Sequence, residues 1–290
     1  MEGLSCLIES DLLIALLAMI GLSIVVMVAV WRWTASWKEI SLNLGFVLVL
    51  VLMGLWHFLI RHNAVISQLL PFDSLIVAGN WFGLWCGVLA GLAMRASRGN
   101  ALRKAVPGAL LMMTGLVALV YPVYGSIPQS VPHQTADGYC LQTNEVSCSP
   151  ACAVTLLRMK GIEATEAEMI GRCLCRDGTA WQGLFRGLRQ KTRGTDYRVE
   201  VRNADLQELR NMTPGYLLLS VGIDLWQECD PIYLEEYGWS RGKYHSVILT
   251  RFLDEEGCVE MIDPDVGLER WSLEDLQTLY RGMTIRLVSR

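Results

Sequence analysis

Residues 142–157 read QTNEVSCSPACAVTLL, a polar stretch that turns into an apolar helical pattern at a cysteine. Pro150 falls in the first turn of that helix, where proline is favoured because its missing N–H would have no partner anyway. The free N–H groups and the positive end of the helix dipole would stabilise a thiolate at Cys148, and the thiolate is the nucleophilic form. Gln142, six residues earlier, can turn its side-chain amide toward the same point as an oxyanion donor. A cysteine at a helix start is by itself more often buried structure than a nucleophile, so the partners decide.

A thiol nucleophile needs a base, and the base needs an orienting group. Two histidines follow the apolar half of the chain: His133 in a Pro-rich linker, and His245 in KYHSVILT, residues 243–250. The second stretch reads as a strand after a Gly-containing turn. Asp263, in MIDPDVG at residues 261–267, closes the next expected strand, and two adjacent antiparallel strands would set His245 and Asp263 side by side. Around these motifs the pattern predicts helices over 150–160, 163–173, 179–190 and 204–210, strands over 216–221, 244–250, 258–262 and 284–288, and a helix over 273–280. Helices first and strands later indicate an α+β domain.

These motifs resemble the bacteriocin-processing, double-glycine leader peptidases, cysteine peptidases of papain-like fold. The family pattern has a Gln and, six residues later, a Cys opening a helix with a Gly-Pro-Ala-like continuation, matched by Gln142 and by Cys148, Ser149, Pro150 and Ala151. The turn at Gly161, the His-x-Val-Ile-Leu look at His245, and Asp263-Pro264 followed by Gly267, a helix and a last strand continue it over residues 138–288. The resemblance implies Cys148 as nucleophile, His245 as general acid and base, Asp263 as its orienter and Gln142 as oxyanion donor. It implies a peptide or protein substrate, cut after Gly-Gly in the best-known members, and no cofactor or metal. The family's Gly after the nucleophile is Ser149 here, which puts a side chain where the acyl group approaches and makes Ser149 a substrate-binding candidate. Those members are fused to an ATP-driven exporter and face the cytoplasm, whereas this chain has no Gly-x4-Gly-Lys-Ser/Thr loop.

Upstream lie four apolar runs, at 12–31, 42–60, 74–94 and 106–124, each long enough to cross the roughly 30 Å hydrocarbon core of a bilayer as a helix. The residues before the first run include Glu2, Glu9 and Asp11 with no basic segment, so it reads as a retained span and not as a cleaved signal. Arg32 and Lys38 lie in the first loop, Arg61 in the second, and Arg95, Arg98, Arg103 and Lys104 in the third. Basic loops stay in the cytoplasm, which directs the N-terminus and everything after residue 125 to the outside. Trp31, Trp33, Trp37, Trp56, Trp81 and Trp85 read as interfacial anchors. His57 and Asn80 inside the runs read as helix–helix hydrogen-bonding groups, and Gly83, Gly87 and Gly91 as a close-packing face for another helix of the set or for a membrane secretion partner. The expected organisation is a four-helix transmembrane domain over 1–125, a linker over 126–137 and an extracytoplasmic peptidase domain over 138–290.

Composition agrees. Hydrophobic residues make up 52% and charged residues 19% of the 290, and a net charge of −4 gives no electrostatic case for nucleic-acid binding. Residues 1–130 hold 7 basic and 5 acidic side chains against 18 and 24 in 131–290, so the second part is an acidic domain large enough to bury its own core. Seven of the nine cysteines fall there; an odd number outside the cytoplasm leaves at least one thiol free, while Cys140, Cys173 and Cys175 are candidates for disulfide pairing. The Cys173-Leu-Cys175 spacing is not that of a zinc knuckle. Two other uses of the same site stay open: a catalytically inactive peptidase-like binding or sensor module, and an acyl transferase using the same thiol.

Overall fold

The computed structural model describes residues 10–60, 74–131 and 138–290. Arg61, His133, Cys6 and the acidic residues Glu2 and Glu9 lie outside the described residues, as does the second half of the expected linker. The chain divides into two compact units, Met1–Tyr124 and Gly125–Arg290.

The first unit is helical: α1 (Ser10–Trp33), α2 (Glu39–Leu55, extended by a π-helical turn at Trp56–Ile60), the short α3 (Leu75–Ala78), α4 (Phe82–Ala96) and α5 (Ala101–Val120). Four stretches, Ser10–Ser36, Glu39–Leu59, Ile76–Ala96 and Ala101–Val123, are long and apolar enough to cross a membrane. Ile14, Leu17, Leu44 and Val47 on their outer faces are exposed, as lipid-facing side chains would be. The third stretch is not one continuous helix. It breaks at Gly79 and Asn80, two weak helix formers, and the Asn80 amide turns away to donate from Nδ2 to the Ala118 carbonyl at 2.8 Å, the helix–helix bond expected of it. The glycine face packs inside the unit. A Cβ added at Gly87 would lie 2.5 Å from the Ser23 carbonyl oxygen, one at Gly91 2.6 Å from that of Met27, and one at Gly83 2.7 Å from Leu119. α1 and α5 therefore occupy the surface that could have served a partner.

In the second unit, α6 (Cys148–Arg158), α7 (Glu166–Arg172) and α8 (Trp181–Lys191) precede an antiparallel six-stranded sheet of order β1-β6-β2-β3-β4-β5. The strands are β1 (Tyr197–Asn203), β2 (Leu217–Gly222), β3 (Tyr244–Leu253), β4 (Cys258–Asp263), β5 (Gly267–Ser272) and β6 (Tyr280–Ser289), with α9 (Leu206–Met212), α10 (Ile232–Glu235) and α11 (Leu273–Leu279) between them. This is the expected α+β class. α6, mostly small and apolar, is buried from Cys148 to Leu157 and packs across β3. On the opposite face Leu217, Leu219 and Val221 of β2, Val247 and Leu249 of β3, and Val259 and Met261 of β4 form one buried cluster with Leu276 and Leu279 of α11. Alternate residues of a strand share a face, so His245 of β3 and Asp263 of β4 project on the side of that cluster, at its rim. Strands β1 and β5 were not expected. They are the two edges of the sheet, and their Arg198, Glu200 and Arg202, or Glu269 and Arg270, are the polar residues that edge strands carry against further pairing.

Cys140, Cys173 and Cys175, the candidates for disulfide pairing, are free, buried thiols in this structure. Each sulfur is committed elsewhere. Cys175 Sγ donates to the Val146 carbonyl at 3.1 Å, the Cys140 thiol lies 3.7 Å from the Leu141 carbonyl, and Cys173 Sγ fills the space left by the missing side chain of Gly187, 2.4 Å from where a Cβ would stand. Only Leu174 separates Cys173 from Cys175, and its left-handed φ of 56° turns the chain between them.

Candidate active site

Cys148 is the first residue of α6, 9% exposed. His245 is the second residue of β3 and Asp263 ends β4. The His245 ring nitrogen Nε2 lies 3.0 Å and 3.1 Å from the two Asp263 carboxylate oxygens, which leaves the other ring nitrogen for the thiol. The Cys148 thiol and the His245 imidazole are close enough that each shifts the protonation of the other. The backbone N–H of Asp265 donates to Asp263 Oδ1 at 2.7 Å and fixes the carboxylate in turn. Trp239 stands edge-on to the imidazole at 6.3 Å between centroids.

Two opposed effects set the protonation of this pair. Burial disfavours both charged forms, and the mutual hydrogen bond and charge attraction favour them. At Cys148 burial pushes the thiol up, but the bond and charge of His245, helped by Ser246 N–H and the Ser149 hydroxyl, bring it below its ordinary value. At His245 burial lowers the imidazolium, and Asp263 and Cys148 override it, raising the pKa to about 10. The favoured state is a thiolate beside an imidazolium, the reactive form of a nucleophilic cysteine.

Gln142 shares a cleft with His245 and Asp263. The cleft has a volume of about 640 Å³ and is also walled by Tyr233, Tyr237, Trp239 and Trp271 and by Glu145, Asp265 and Glu269. The Gln142 backbone N–H donates to the Pro264 carbonyl at 2.7 Å, and its side-chain Oε1 is buried without a partner. Ser149 stands elsewhere than expected. It does not line the cleft; it is 5% exposed, with its hydroxyl 2.7 Å from that of Ser246, because the second residue of the helix faces the sheet. Cys152, one turn on, donates to the Ser246 carbonyl at 3.1 Å, and burial holds its thiol well above the ordinary range. Sequence reasoning missed Ser246, Trp239 and the carboxylates of the cleft. Adjacency to His245 is the only sequence signal that could have singled out Ser246.

No family model matches the sequence, and no curated protein matches it. Among solved structures, the peptidase domain of Streptococcus ComA, a bi-functional ABC transporter involved in a quorum-sensing pathway, is similar at 17% identity and a TM-score of 0.40, over 52% of this chain and 97% of that one. A double glycine motif protease from an AMS/PCAT transporter, in complex with its leader peptide, is similar at 13% identity and a TM-score of 0.39, over 52% and 89%. The peptidase domain of Streptococcus mutans ComA is similar at 18% and 0.34, over 52% and 98%. Likenesses this distant do not decide an activity, which has to be read from the side chains.

Proposed function

We propose that this protein is a membrane-anchored cysteine peptidase whose Cys148, His245 and Asp263 hydrolyse a peptide bond in a secreted peptide or protein. One observation carries the reading: an imidazole held by a carboxylate at 3.0 Å and electrostatically coupled to a thiol at a helix start, beside an open cleft. The Cys148 thiolate attacks the scissile carbonyl carbon, forming the S–C bond. The developing oxyanion accepts hydrogen bonds from the Gln142 side-chain amide and the Cys148 backbone N–H at the helix start. The imidazolium of His245 gives its proton to the leaving amine as the C–N bond breaks. Water then attacks the thioester, His245 takes its proton, and the S–C bond breaks to release the carboxylic acid and restore the thiolate. Asp263 keeps the imidazole oriented and its charged form stable throughout.

The Gly-Gly cleavage site comes from the resemblance of the motifs. The extracytoplasmic position comes from the excess of basic residues in the first and third loops. A Ser149 hydroxyl engaged with Ser246 and absent from the lining of the cleft favours a competent site over an inactive binding module. Replacing Cys148 with Ala should abolish cleavage of a secreted-peptide library by the full-length protein while leaving it folded, with a cooperative thermal unfolding transition. Undiminished cleavage would refute the assignment. Labelling of Cys148 in intact cells by a membrane-impermeant thiol reagent tests the orientation; labelling only after permeabilisation would reverse it.

A further inference from the structure

Glu166, the first residue of α7, is 5% exposed. A carboxylate this buried is stable only with its oxygens satisfied, and three of the four donors it has gathered come from the segment leading into α6, the fourth from Ser130 further upstream. Its Oε1 accepts from the Thr143 backbone N–H at 2.9 Å and from the Ser147 hydroxyl at 2.6 Å. Its Oε2 accepts from the Thr143 hydroxyl at 2.7 Å and the Ser130 hydroxyl at 2.6 Å. Thr143 directly follows Gln142, and Ser147 directly precedes Cys148. Between those residues the chain forms only bends and turns, with no ladder of its own to fix it.

We propose that Glu166 is a positioning residue of this active site: one buried carboxylate grips the neighbour of the oxyanion donor and the neighbour of the nucleophile, and so holds Gln142 and Cys148 in register. The proposal rests on the peptidase reading above. It separates two properties of Cys148. Thiolate formation depends on His245, which Glu166 does not touch. Acylation depends also on Gln142, whose placement depends on Glu166.

The test uses the full-length protein in detergent and follows the Cys148 peptide by mass spectrometry, with Cys148→Ala as background. Iodoacetamide reports the thiolate and needs no oxyanion donor; a p-nitrophenyl ester reports acylation through a tetrahedral intermediate. Glu166→Ala should slow acylation about 10²-fold, the scale of a misplaced or missing oxyanion donor, with alkylation within about twofold of the parent because the thiol pKa is set elsewhere. Glu166→Gln should recover most of the acylation: its amide oxygen can keep the Thr143 N–H and Ser147, and its NH₂ can donate to the hydroxyls of Ser130 and Thr143, which can rotate to accept. Equal acylation in Glu166→Ala and the parent, or a parallel loss of acylation and alkylation, would overturn the positioning role. Should Glu166→Ala fail to fold, Thr143→Val and Ser147→Ala each remove one donor; acylation down about 10-fold with alkylation intact supports the proposal, and unchanged acylation in both overturns it. A parent protein that alkylates quickly but never acylates would overturn the peptidase reading itself, and the positioning role with it.

Discussion

Burial at Cys148 would by itself make the thiol inert, so its reactivity is borrowed from His245. Removing the imidazole removes the bond and the charge that lower the thiol pKa and leaves the burial that raises it. His245→Ala should therefore slow iodoacetamide labelling of Cys148 at about pH 6 by about 10-fold or more, since an ordinary thiol is almost wholly protonated there. Equal rates in parent and variant would show that the helix start alone activates the cysteine. The imidazole leans on Asp263 in the same way. A raised histidine pKa contributes stability that is fully present below its ordinary 6.5 and is lost as pH rises toward about 10. The lowered thiol contributes above its ordinary 9.0 and loses that contribution as pH falls through its folded value. The charged pair thus persists from below pH 9.0 to about 10. Asp263→Asn withdraws the carboxylate charge, so the alkaline limb of the activity profile should move down from about 10 toward 6.5, with kcat/KM falling about 10²- to 10⁴-fold. An unmoved alkaline limb would assign it to another group.

The glycines of α4 carry the clearest demand at the level of elements. Gly87→Ala would drive a methyl group to 2.5 Å from the Ser23 carbonyl oxygen, a backbone atom that cannot swing aside, whereas Gly54 in α2 has nothing within 4 Å of its missing Cβ. The first substitution should destabilise the helical unit by about 1–3 kcal/mol, read as a lower unfolding temperature in detergent. The second should be neutral or slightly stabilising, because alanine is the better helix former. A similar effect at both positions would contradict the close packing of α4 on α1. The long helices were legible in the sequence as apolar runs of about twenty residues, the length at which a helix can cross a bilayer. The break in the third stretch was not, since Asn80 leaves the helix for a carbonyl 38 positions away. Strands β2, β3 and β4 were legible through their apolar runs, while β1 and β5 alternate charge and read as loops. The chemistry of the site followed the same division. Cys148, Gln142, His245 and Asp263 sit in local patterns that announce them, but Glu166 gains its meaning only from donors 19 to 36 residues away, and the wall of the cleft is assembled from loops with no shared motif.

At the scale of the whole molecule, the acidic balance of the second half concentrates where a substrate would lie. The cleft is lined by Glu145, Asp265 and Glu269 in addition to Asp263 and Asp275, and by no lysine or arginine. Asp263 is occupied by His245, and Asp275 accepts from the Tyr233 hydroxyl at 2.8 Å. Glu145, Asp265 and Glu269 are not among the ion-paired carboxylates of the described residues, and burial pushes the Glu269 carboxyl above its ordinary range, a cost that a cation beside it would relieve. Low-dielectric aromatic walls focus the field of such charges, and Trp239 and Trp271, in edge-to-face contact at 6.1 Å, offer faces that attract cations. Peptides with Lys or Arg flanking the scissile bond should therefore be cut with a kcat/KM about 10-fold above that of their Glu counterparts at low salt. The ratio should shrink as ionic strength approaches about 1 M, where the screening length falls to about 3 Å. Glu145→Gln should narrow the ratio at low salt without changing cleavage of a neutral peptide more than about twofold, because its side chain touches neither the thiol nor the imidazole. A preference for acidic peptides, or a ratio indifferent to both salt and the Glu145 substitution, would show that the charge of the cleft plays no part in choosing what is cut.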